Sequence, residues 1–130
     1  MRILSLLILG LLIACGGPEK KAIEKAKFDE VMAVHDAVMP EMGTIRRLKK
    51  ALEERAAASD SLSGDNEALS NMISELEQAN DAMMVWMRAF SKPADGTPHD
   101  EVLKYYDSEM VKVEDVKMKM ETAIEKAKEM

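Results

Sequence analysis

Apolar residues recur at intervals of three and four along three long stretches of the chain, and this spacing predicts amphipathic helices. We expect the helices over residues 18–58, 65–91 and 98–129. The segments between them, residues 59–65 and 91–98, are rich in Gly, Pro, Ser and Asp, which favour turns. Two short connections between three long helices predict an all-α fold, an antiparallel three-helix bundle with coiled-coil-like packing.

One face of each predicted helix collects the apolar residues that would form the core. The first face contains Phe28, Val31, Met32, His35, Val38, Met42, Ile45, Leu48 and Leu52. The second contains Leu69, Met72, Ile73, Leu76, Met83, Trp86, Met87 and Phe90. The third contains Val102, Tyr106, Met110, Val113, Val116, Met120, Ile124 and Ala127. Because each face is continuous, we expect the three faces to pack against one another.

Proline and a capping pattern refine these boundaries. Pro40 interrupts the first pattern without shifting its register, and proline inside a helix removes a hydrogen bond and clashes with the preceding turn. We therefore predict a kink or short break near Pro40, with the helix continuing beyond it. At the third helix we predict Thr97 as the N-cap, Pro98 in the first position and Asp100 three residues after the cap.

The first fifteen residues have the pattern of an export signal. Arg2 precedes an apolar run over residues 3–13. A bilayer span needs about 20 apolar residues, so this run is too short and fits instead a secretory signal peptide. The sequence Leu12-Ile13-Ala14-Cys15 resembles the lipobox of bacterial lipoproteins. This resemblance implies cleavage before Cys15 and covalent attachment of lipid to it.

The lipobox implies a division of the chain and a location. Residues 1–14 are predicted as the signal peptide, 15–18 as a lipidated tether and 19–130 as the helical-bundle domain. The residue after Cys15 is Gly16 rather than aspartate. This resembles the default signal for transfer to the outer membrane, so we expect an outer-membrane lipoprotein that faces the periplasm. Exposure on the cell surface remains the alternative.

Composition excludes several classes of function. The chain has 130 residues with a net charge of −6, which argues against nucleic-acid binding because nucleic-acid binders normally present a basic face. A single cysteine excludes an internal disulfide framework. Removal of residues 1–14 takes away Arg2 and no acidic residue, so an anionic bilayer would repel the body. The lipid must therefore supply the anchoring.

Methionine is over-represented, with twelve residues in the chain. Met32, His35, Met39 and Met42 share one side of the first predicted helix, and Met83 and Met87 are four residues apart in the second. Thioether and imidazole ligands suit Cu(I). The alternative function is therefore a periplasmic copper-binding protein with a site built from His35, Met39, Met42, Met83 and Met87.

The same spacing also produces a core face, and methionine fills irregular cores well. Our leading interpretation is packing, with no metal and no cofactor beyond the lipid on Cys15. Asp36 is expected to point about 100° away from His35 and to leave the imidazole unoriented. His99 has no predicted partner. With two histidines and no catalytic motif, we expect no enzymatic activity.

A few apolar residues fall away from the predicted core faces. Met84 and Val85 flank the core face of the second helix, and Val111 and Met118 lie seven residues apart on the back of the third. Such positions can nucleate an interface with a protein partner or a second copy. Together with Trp86, the pair Val111 and Met118 are the candidates for partner binding.

Two stretches carry a second resemblance. His35-Asp36-Ala37-Val38-Met39-Pro40-Glu41-Met42 and Ala82-Met83-Met84-Val85-Trp86-Met87-Arg88-Ala89-Phe90 resemble those of small, uncharacterised bacterial lipoproteins, some labelled "viral A-type inclusion protein". The resemblance implies a compartment and a helical body, and it suggests that the two stretches meet. The predicted function is a membrane-anchored, non-enzymatic interaction or envelope-structural module.

Overall fold

The computed structural model describes residues 17–58 and 65–130. Over these ranges the chain is helical and contains no strand, in four helices. They are α1 (Pro18–Val38), α2 (Glu41–Ala58), α3 (Asp65–Ala89) and α4 (His99–Lys128). None of them is long and apolar enough to cross a membrane. The predicted signal peptide, the lipobox and Cys15 lie outside the described residues.

The all-α prediction is confirmed, and the predicted helix ends are correct to within about two residues. The first predicted helix is divided at Met39 and Pro40, which form a turn between α1 and α2. The Met39 amide still donates to the His35 carbonyl at 2.9 Å, and the Gly43 amide donates to the Pro40 carbonyl at 3.0 Å. Pro40 has no amide hydrogen to donate, so the helix is interrupted where the sequence predicted.

The break at Pro40 leaves the core register intact. Val31 and Val38 of α1 and Ile45 and Leu52 of α2 are all buried, and each lies seven residues after the one before. A seven-residue repeat places a side chain on the same face every two turns. We infer that α1 and α2 act as one bent rod that presents a single apolar face to α3 and α4.

The other two helices contribute buried residues at alternating steps of about three and four. In α3 they are Leu69, Met72, Leu76, Ala79, Met83 and Trp86. In α4 they are Val102, Tyr106, Glu109, Val113, Val116, Met120, Ala123, Ile124 and Ala127. Met110, predicted as a core residue, is partly buried and packs against the core, while the fully buried position of this turn is occupied by Glu109.

Ion pairs connect the helices outside the core. Lys27 of α1 lies 2.8 Å from the carboxylate of Asp107 on α4, and the hydrogen bond between them raises the pKa of Lys27. Lys126 of α4 lies 2.8 Å from Glu75 on α3. These pairs are exposed, and screening by solvent makes exposed ion pairs weak contributors to stability. Burial of the apolar faces therefore dominates the packing of the bundle.

The predicted cap of the last helix is wrong. The helix begins at His99, Pro98 occupies the N-cap position, and no side chain caps the helix. The Thr97 hydroxyl instead donates to the carbonyl of Ala94 at 2.7 Å. Gly96, with φ of 87°, adopts a left-handed conformation that glycine tolerates best. The resulting turn directs Thr97 back into its own loop, away from the amides that it was predicted to cap.

Candidate functional site

All five aromatic residues of the chain meet in one cluster between α1, α3 and α4. The ring centroids of Trp86 and Phe90 are 4.9 Å apart, and those of Phe28 and Phe90 are 6.2 Å apart. Phe28 also meets Tyr106 edge-on at 6.0 Å, and Tyr105 lies 5.5 Å from Tyr106. These separations lie in the favourable range for aromatic pairs. The cluster thus joins α1 and α4 to the end of α3 through contacts between aromatic rings.

A buried carboxylate lies at the edge of this cluster. Glu109 is 4% exposed and Trp86 is 5% exposed. The Trp86 indole Nε1–H donates to Oε2 of Glu109 at 3.0 Å, and the Lys112 ammonium donates to Oε1 at 2.6 Å. The bond to Glu109 and its negative charge raise the pKa of Lys112. Each oxygen of the buried Glu109 carboxylate thus has a donor, as a buried charge requires.

His35 connects the bent rod to the aromatic cluster. Its ring centroid lies 5.6 Å from that of Trp86. Its Nδ1 lies 2.9 Å from Oδ1 of Asp36, so the expectation that Asp36 leaves the imidazole unoriented is wrong. The two Cβ atoms diverge on the helix, but side-chain torsions let the exposed carboxylate bend back to the ring. The two stretches around His35 and Trp86 therefore do meet.

The five candidate copper ligands all lie at or near the core. Met83 is fully buried, and Met39, Met42 and Met87 are partly buried against the core. His35 uses Nδ1 to contact Asp36. Within residues 17–58 and 65–130, no group of three or more His, Cys, Asp or Glu residues could hold a metal ion, but this finding does not concern thioether ligands. The copper site stays a prediction.

The second histidine has a partner that the sequence did not indicate. His99 Nδ1 lies 2.8 Å from Oε1 of Glu24, and both side chains are mostly buried. The pair joins the start of α4 to the second turn of α1. Nearby, burial raises the pKa of the Tyr106 hydroxyl above its usual value, with smaller contributions from Tyr105 and Glu24.

The three candidates for partner binding differ in accessibility. Trp86 is buried and contacts His35, Phe90 and Glu109. Val111 and Met118 are 68% and 61% exposed. Met118 borders a groove of about 480 Å³ between α3 and α4, lined also by Ala79, Ala82, Asp115, Thr122 and others. Val85, 55% exposed, continues the α3 wall of this groove by helical spacing.

Comparison with known proteins gives no relative: no protein-family model, curated protein or solved structure matches the chain. The site must therefore be interpreted from its own geometry. Sequence reasoning missed Glu109, although one signal was present. Glu109 lies three residues after Tyr106 and four before Val113, in the interval where the apolar repeat requires a core residue.

Proposed function

We propose that this protein is a bacterial envelope lipoprotein, exported by residues 1–14 and anchored in the outer membrane through lipid on Cys15. Its helical body faces the periplasm and acts by contact with a partner or a second copy, without catalysis. The position of α1 supports the anchor. The helix begins at Pro18, three residues after Cys15, so the described body follows the predicted attachment residue almost directly in the sequence.

We further propose that successive helical segments of the bundle (α1 with α2, then α3, then α4) run in opposite directions. Along α3 and α4 the contacting pairs occur in opposite order, since Trp86 contacts Glu109 whereas the earlier Glu75 contacts the later Lys126. The pairs between α1 and α4 occur in the same order, from Glu24 with His99 to Lys27 with Asp107. Alternating directions with short connections are typical of such bundles.

The observation that carries the interaction role is the exposed apolar row beside the groove between α3 and α4. Val85, Val111 and Met118 are each more than half exposed. In the opposite-order arrangement, Val85 on α3 lies near the level of Val111 on α4. Scattered apolar residues are common on protein surfaces, but a row beside a groove offers a continuous contact for a helix.

Membrane association is tested by the Cys15→Ala variant. We expect this variant to lose incorporation of labelled palmitate and to move from the membrane fraction to the soluble or uncleaved fraction. Stable anchoring needs more than one acyl chain, and a body without Cys15 would carry none, so the variant should lose stable anchoring. Ser91→Ala, an exposed loop substitution, is the control and should stay with the membrane. A Cys15→Ala protein that is still processed and membrane-bound would refute the anchor.

The interaction surface is tested with a photoreactive amino acid placed at Met118 or, as the control, at the exposed Lys50 of α2, a helix that does not line the groove. We expect irradiation of intact cells to give an adduct of defined mass from position 118 and none from position 50. Introducing Val111→Lys should abolish the adduct, because a charge in the apolar row opposes docking of an apolar partner. Equal adducts from both positions, or none from position 118, would contradict the proposal.

A further inference from the structure

The attachment point fixes which end of the bundle approaches the bilayer. Cys15 precedes Gly17 by two residues, which can span at most about 7 Å. Gly17 adjoins the start of α1, and the pair Glu24 and His99 joins that part of α1 to the start of α4. We call residues 18–25 and 92–99 together the tether end.

Two shallow clefts open on the tether end, each with a volume of about 340 Å³. They lie between the first turns of α1 and the loop before α4, and they share the wall formed by Lys21, Glu24, Gly96 and Thr97. Lys20 lines one cleft, and Lys25 and Lys92 line the other. Four lysines therefore line the clefts at one end of an acidic protein, together with Glu24, Asp95 and Asp100.

Three of these lysines have no carboxylate partner, unlike the lysines that form ion pairs between helices, such as Lys27 and Lys126. Among the described residues, Lys20, Lys21 and Lys92 make no ion pair, whereas Lys25 pairs with Asp29. Lys92 holds its ammonium 4.1 Å from the centroid of the Phe28 ring, which orients the charge without neutralising it.

The acidic residues at the tether end form no ion pair with Lys20, Lys21 or Lys92. Glu24 is occupied by His99. Glu19, Asp95 and Asp100 are exposed and form no ion pair with the three lysines, although Asp95 and Asp100 line the same clefts. Ile23 lies three residues after Lys20 on α1 and is 43% exposed, so it places an apolar side chain beside this lysine. Basic and apolar side chains are similarly combined on helices that lie in a membrane interface.

We propose that the tether end docks on the bilayer, where Lys20, Lys21 and Lys92 bind the phosphates of lipid headgroups and Ile23 enters the interface. This inference rests on the proposed anchoring through Cys15. The lipid supplies the attachment, and the lysines set the orientation. With the lysine-rich end held against anionic lipid, the acidic remainder points away from the membrane, so the repulsion expected from the net charge of −6 is reduced.

The test uses the body from Cys15 onward, which retains every described residue, coupled through its single thiol to a maleimide lipid in vesicles. Coupling supplies the tether whether or not cells lipidate Cys15. Failure of this test is therefore distinct from failure of the anchoring proposal. Vesicles of phosphatidylcholine alone are compared with vesicles that contain phosphatidylglycerol, and lysine acylation is measured by mass spectrometry.

We expect acylation of Lys20, Lys21 and Lys92 to be about fivefold slower on the anionic vesicles than on the neutral ones. The protection should disappear at about 1 M salt, where the Debye length falls to about 3 Å. The matched control is Lys128, which lies about 40 Å along α4 from His99 and should be acylated equally on both. Equal acylation of the three tether-end lysines on both vesicle types would overturn the proposal, as would equal protection of Lys128.

A variant separates headgroup binding from simple proximity. Lys20→Gln with Lys21→Gln should reduce the protection of Lys92 on anionic vesicles by at least about threefold, because the remaining charge no longer holds the end in place. The double control Lys117→Gln with Lys119→Gln changes the net charge by the same amount and should leave the protection of Lys92 unchanged. If the two double variants behave alike, the docking surface is wrong.

Discussion

Replacing Met83 by alanine is expected to lower the free energy of unfolding by about 2–5 kcal/mol. Met83 is fully buried in α3 and belongs to the core cluster that the three rods share. Removing its side chain leaves a cavity that neighbouring helices can fill only in part, so both transfer free energy and packing contacts are lost. The measurement is chemical denaturation followed by circular dichroism.

The adjacent methionine provides a matched control. Met84 is 36% exposed, whereas Met83 is fully buried, so Met84→Ala removes the same atoms from a position already in contact with water and should lower the unfolding free energy by only about 1 kcal/mol. The difference between the two variants measures burial rather than a general effect of losing methionine. Similar losses from both variants would contradict the assignment of Met83, rather than Met84, to the buried face of α3.

The second large effect is expected at Glu109. Glu109→Leu should cost about 1–3 kcal/mol, because it leaves the buried indole N–H of Trp86 without an acceptor. Trp86→Phe should cost a comparable amount, since it leaves the carboxylate without one of its donors and removes packing. In the double variant both polar partners are gone. We therefore expect the double variant to lose less than the sum of the two single losses, by at least about 1 kcal/mol.

Glu109→Gln is the conservative control, because its amide oxygen can still accept from Trp86. We expect it to cost less than about 1 kcal/mol, since the lost partner Lys112 is 58% exposed. Trp86 is the only tryptophan, so its fluorescence reports the local change in each variant. Strict additivity of the two single losses would contradict the bond between Trp86 and Glu109 as a stabilising element.

The sequence predicts the helices well because the apolar repeat is long and continuous. Apolar residues recur at steps of three and four over many turns of each helical segment, so many independent positions indicate the same core face. The break at Pro40 can also be predicted from the sequence, since proline lacks the amide hydrogen that an unbroken helix uses. The exposure of Val111 and Met118 follows from the same periodicity, because both lie on the back of the core face.

The details that the sequence did not predict are polar contacts between side chains. The pair Glu24 and His99 joins residues 75 positions apart, and no local pattern encodes that distance. A glutamate among core residues such as Glu109 is interpreted as a surface position until a buried donor, here Trp86, is known. The contact between His35 and Asp36 depends on side-chain torsions, which helical periodicity does not determine.

The pairing of α1 with α4 has a consequence for the order in which the protein folds. Helix α1 packs extensively on α4, although it is the first to be synthesised and α4 is the last. If the chain is exported from its N-terminus, Phe28 crosses the membrane well before Tyr106, its contact in the folded bundle, which is 78 residues later in the sequence. In an exported chain, the packing of α1 on α4 would therefore form only after most of the residues have crossed the membrane.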